Sequence, residues 1–120
     1  FFEHLYPNWV ILLNCTHRPP EEQFELFKKG RTYLLRNDEW EITNPKEIVT
    51  HKDGFKLISK HNYYPAKAFD ILLKTPTRDI TWNYQLEQWQ CMKEMAERFN
   101  LVNGGIWPSV KDYPHFESKE

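Results

Sequence analysis

The run Ala68-Phe69-Asp70-Ile71-Leu72-Leu73 constrains the fold most, because it is short, apolar apart from one carboxylate, and closed by Thr75-Pro76-Thr77. Its length suits a buried strand. Trp9-Val10-Ile11-Leu12-Leu13 is a second such run, partly β-branched, and passes through Asn14–Arg18 into Pro19-Pro20. Proline is tolerated in a helix first turn, and Glu21 and Glu22 suit the positive end of the helix dipole. A helix is therefore expected to continue through Gln23 to Arg31, with Phe24 and Phe27 on one face and Gly30 as its stop. From Trp82 to Phe99 the apolar residues Leu86, Trp89, Met92, Ala96 and Phe99 recur at intervals of 3, 3, 4 and 3, which is helical spacing. That stripe reads as core, and Asn103-Gly104-Gly105 closes the segment. Residues 32 to 60 are polar and irregular, with a strand-like Glu47-Ile48-Val49-Thr50 and a turn at Asp53-Gly54. The expectation is an α+β fold in one domain over residues 1–120, without repeats or linkers.

Charge and composition remove several function classes. The formal net charge is -1 and the pI about 6.6, so the basic footprint of a nucleic-acid binder is missing. No apolar run approaches the roughly 20 residues of a membrane-spanning helix. The chain begins at Phe1, which leaves a leader segment open. Cys15 and Cys91 lack CxxC spacing and sit in apolar stretches, so both read as small buried thiols. Neither has a recognisable histidine partner, which argues against a cysteine nucleophile. The 5 Trp, 6 Tyr and 8 Phe are chiefly core fillers.

Five histidines can be weighed one by one. His4, His17 and His51 read as surface or hydrogen-bonding residues. His61 and His115 lie beside irregular, proline-containing backbone, each with a carboxylate nearby in sequence. A zinc hydrolase needs three protein ligands and an open position for water. It also needs a carboxylate off the metal as general base. His61, Asp70 and His115 can supply the ligands and Asp112 the base. Asp112 and His115, three apart, would face opposite sides of a flat strand, so Pro114 is expected to bend the chain between them. Spacing alone is a weak signal, and no HExxH, GxSxG or phosphate-loop motif competes.

Three segments carry a resemblance. Thr16-His17-Arg18-Pro19-Pro20-Glu21-Glu22-Gln23, followed by Leu26-Phe27 and Gly30-Arg31-Thr32, resembles the segment "xxRSPEEQxxLYxxGRT" of the D-alanyl-D-alanine carboxypeptidase family. Ser59 to Ile71, "SKHNYYPAKAFDI", is similar to that family's SxHxxGxAxD zinc motif. Gly104 to Glu117, "GGIWPSVKDYPHFE", resembles its closing "GGxWxSxxDxPHFE", particularly in the phage-endolysin branch of L-alanyl-D-glutamate peptidases. The resemblance implies zinc at His61, Asp70 and His115, a general base at Asp112 and an oxyanion-stabilising arginine at Arg18. It also implies substrate contacts at Gln23 and Ser59. The implied fold is a small α+β domain of the hedgehog/DD-peptidase kind, in which an antiparallel sheet with flanking helices carries the zinc site. The implied partner is a peptidoglycan stem peptide, cut by a monomer at the bacterial cell wall after release or export from the host cytoplasm.

Two departures stand out. The interval from His61 to Asp70 is nine residues, longer than is usual in the family, with Tyr64-Pro65-Ala66-Lys67 where a lone glycine is common. Pro20 replaces part of the usual Ser-Pro order, which a helix first turn tolerates. The rival reading is a zinc-stabilised wall-binding or phage structural module without catalysis. Glu117 is the fallback base.

Overall fold

The structure is a computed structural model that describes residues 2–108 and 111–120, so Ser109-Val110 of the closing motif lie outside the described residues. The chain divides into two compact units, one comprising the residues up to Thr16 together with those from Lys67 onward, the other His17–Ala66. The fold is α+β with antiparallel sheets, as expected.

The first unit is built on a four-stranded antiparallel sheet, ordered β1 (Val10–Cys15), β4 (Ala68–Lys74), β6 (Asp112–Ser118), β5 (Leu101–Gly104). It also holds a short helix α1 (Phe2–Leu5) and a longer helix α3 (Glu87–Arg98). Strand β4 alternates as its apolar run requires: Ile71 and Leu73 are buried with Phe2, Trp89, Ala96 and Phe116 in one core. Trp89 is wholly buried and donates its indole N–H to the Thr81 carbonyl at 3.1 Å, so the ring is sequestered without orphaning its polar atom.

The expected helix from Trp82 starts instead at Glu87. Side chains compete with the backbone ladder just before it, where Thr81 Oγ1 accepts from the Asn83 amide and Asn83 Oδ1 from the Gln85 amide. Such local bonds favour turns over helix. Its expected last core residue, Phe99, is 64% exposed. Beyond it the chain enters β5, where a mere helix ending was expected at Asn103-Gly104-Gly105.

The second unit contains α2 (Pro20–Lys28), β2 (Arg31–Leu34) and β3 (Glu39–Ile42). Helix α2 ends before the expected Arg31, at a Gly30 whose φ of 81° is the left-handed conformation glycine takes cheaply. Arg31 opens β2, and its guanidinium reaches back to the Phe27 carbonyl, capping the helix it was expected to join. The β2–β3 hairpin lies in the stretch read as irregular. Its cross-strand pair Tyr33↔Trp40 brings the two rings to 5.5 Å, which compensates for polar four-residue strands. The strand expected at Glu47–Thr50 is absent; Pro45–Glu47 is a 3-10 turn, for which proline at its start is pre-organised. His51 is a hydrogen-bonding residue, 3.2 Å from the Arg31 guanidinium, in line with its reading. Among the described residues no helix is long and apolar enough to cross a membrane.

Candidate metal centre

Register builds the centre of the first unit. Asp70 pairs with His115 across β4 and β6, and Cys15 pairs with Asp70 from β1. Directly opposed residues project to one face, so Cys15, Asp70 and His115 form a row across three strands. The intervening Phe69 and Phe116 stack at 5.3 Å on the other face. His115 is buried, with Nδ1 3.3 Å from Asp70 Oδ1 and Nε2 2.8 Å from Glu117 Oε1. The Trp107 ring lies over it at 5.1 Å.

Asp112 joins this face because β6 is not flat. Asn103 pairs with Phe116, but the next residue, Gly104, pairs with Asp112, so Tyr113-Pro114-His115 bulge out of the ladder. The buried Asn103 side-chain amide donates to the Tyr113 and His115 carbonyls at 2.8 and 3.1 Å, covering acceptors that the bulge releases. Tyr113 stacks on Tyr84 at 4.9 Å. The Gly-Gly pair makes room. A Cβ at Gly104 would lie 2.3 Å from the Asp112 carbonyl oxygen, and one at Gly105 2.7 Å from the Tyr113 ring. The expected bend is therefore present, as a bulge supported by Asn103 and the glycines.

The outcome is a carboxylate oxygen from each of Asp70 and Asp112 and a ring nitrogen of His115, all within 4.8 Å of one another. Two carboxylates this close repel, and a cation between them relieves the repulsion. Carboxylate oxygen and imidazole nitrogen are both zinc donors, so the set fits zinc. Burial disfavours a charged His115 ring, but hydrogen bonds to Asp70 and Glu117, with the charges of Asp70 and Asp112, outweigh it and raise its pKa above the ordinary value. A proton and a metal thus compete for this imidazole.

Cys15 is not the buried core thiol that its apolar stretch predicts: it is half-buried and on the metal face, with Sγ within 4.8 Å of an Asp70 carboxylate oxygen. Strand alternation carried no hint of this, because β1 shifts register between Leu13 and Cys15. Cys91 is half-buried beside Met95, its thiol pKa raised chiefly by desolvation.

The second unit holds the remaining expected residues. Ser59 caps a 3-10 turn over Lys60–Asn62, its Oγ accepting from the His61 amide at 3.3 Å while Asn62 Oδ1 accepts from the Ser59 amide. His61 is buried within that turn. Its carbonyl accepts from the Arg18 amide at 2.8 Å, and the Asn62 side chain donates to the Arg18 carbonyl. These bonds join the first and second sequence motifs. Gln23, only 1% exposed, accepts from Arg18 Nη1 at 2.9 Å and donates to the Lys52 carbonyl and to Thr50 Oγ1. We expect Gln23→Leu to lower stability by about 1–3 kcal/mol, since it removes the hydrogen bonds that this buried side chain makes with Arg18, Thr50 and the Lys52 carbonyl. Chemical denaturation of metal-free protein measures it, and an unchanged midpoint would refute the assignment.

A family profile described as D-alanyl-D-alanine carboxypeptidase matches residues 53–118, more than half of the chain. The chain belongs to that family. Its members are zinc peptidases acting on peptidoglycan-related substrates, and the matched span contains His61, Asp70, Asp112 and His115. Arg18 and Gln23 precede the matched span.

Proposed function

We propose that this chain is a zinc peptidase that hydrolyses a peptide bond in the peptidoglycan stem, of the L-Ala-D-Glu or D-Ala-D-Ala type, and serves as a phage or prophage endolysin. The convergence of Asp70, Asp112 and His115 on one sheet face within a family of zinc peptidases carries the reading. His61, Asp70 and His115 are the ligands. Zinc, when bound, supplies Lewis acidity and makes water a usable nucleophile near neutral pH. Asp112 takes the proton from the attacking water as it adds to the carbonyl carbon, and returns it to the departing amine. Arg18 meets the negative charge that develops on the carbonyl oxygen. Gln23 is engaged on all sides, so its part is to hold the Arg18 guanidinium in place, and Ser59 holds the turn that carries His61. The lengthened loop that carries Tyr64, 88% exposed with its ring against His17, is our assignment for what sets substrate preference.

Digestion of purified peptidoglycan with zinc-loaded protein, read by mass spectrometry, tests the proposal. Fragments with severed stem peptides are expected, and a chelator should suppress them. Intact stems throughout would overturn the peptidase reading and favour a zinc-stabilised wall-binding module.

A further inference from the structure

We infer that Glu117 is a positioning residue that commits His115 to the metal through Nδ1. This rests on the zinc reading proposed above, and it gives Glu117 a role other than general base. Glu117 and His115 are two residues apart on β6 and so share a face. Glu117 Oε1 lies 2.8 Å from His115 Nε2, and the carboxylate side chain is only 16% exposed. An ionised carboxylate can only accept, so Nε2 carries the hydrogen of this bond. Nδ1 faces the Asp70 carboxylate at 3.3 Å, and it is on this nitrogen that zinc takes the place of a proton.

The carboxylate is itself held. The backbone of Glu117 pairs with Ala68 on one side and Val102 on the other, so it cannot drift as an edge residue would. Trp107 over the same imidazole restricts its rotation from another direction. A ligating histidine whose second nitrogen is bound by a carboxylate is fixed in tautomer and orientation and is a stronger donor; losing such a partner typically weakens metal binding about 10–100-fold.

The test compares wild type, Glu117→Ala and Glu117→Gln by chelator competition for zinc. Long-range proton–nitrogen spectra of the His115 ring accompany it. Glu117→Ala should bind zinc about 10–100-fold more weakly, and Glu117→Gln, which keeps an acceptor oxygen, should recover much of the loss. In the zinc-loaded wild type the proton should be on Nε2. A proton on Nδ1 with zinc on Nε2 overturns the inference, and it does so even if the alanine variant fails to fold. Unchanged zinc affinity in a folded Glu117→Ala also overturns it, and lost hydrolysis there would make Glu117 the base. Wild-type protein that takes up no zinc overturns this inference and the metallopeptidase reading together, visible before any variant is made.

Discussion

Asp112→Asn should lower peptidoglycan hydrolysis by about 10²–10⁴-fold, the usual cost of removing a general base. The substitution keeps the shape of the side chain and removes its basicity, so the bulge of β6 has no reason to collapse. Zinc content, measured by elemental analysis, should stay at the wild-type level. That second measurement matters because the Asp112 carboxylate is close enough to Asp70 and His115 for direct ligation. Full activity in the variant would remove Asp112 from the mechanism. Lost zinc would move it into the ligand set.

Gly104→Ala should harm both stability and activity without touching any chemical group. The added methyl would lie 2.3 Å from the Asp112 carbonyl oxygen and 2.9 Å from its Cβ, and backbone cannot swing aside as a flexible side chain can. Either β5 and β6 separate or the bulge shifts. Overpacking of this kind costs about 1–3 kcal/mol. The displaced atoms belong to the residue carrying the base, and misplacing a reacting group by about 1 Å can cost 10²-fold in rate. Thermal melts and hydrolysis assays well below the melting temperature separate the two effects. Phe99→Ala is the control, since Phe99 is 64% exposed and outside the core; its stability should change by no more than about 0.5 kcal/mol. A Gly104→Ala variant as stable and active as that control would show that the glycine is not needed for the approach.

Apolar runs and helical spacing marked β1, β4 and the body of α3, because such patterns follow directly from what must be buried. The β2–β3 hairpin leaves no such pattern, since its strands are polar and an aromatic pair across them does the stabilising. The start of α3 is not legible from periodicity, because Thr81 and Asn83 bond locally to the backbone before it. Asp70, Asp112 and His115 were legible as candidates from residue type and motif. Cys15 was not, because its place depends on a register shift in β1. Gln23 was legible as part of a motif, but its bonds to Arg18, Thr50 and Lys52 were not.

The sequence by itself determined the chemistry available: which segments must be buried, which residues can bind zinc or move a proton, and the family to which they belong. Tertiary structure decided which of those residues meet. Asp70 and His115 are far apart in the chain, and only antiparallel pairing of β4 with β6 sets them side by side. Asp112 should face away from His115 on any regular strand, and only the bulge opposite Gly104, supported by Asn103, turns it to the same side. Register and bulges depend on contacts between distant segments, and local pattern carries no record of them.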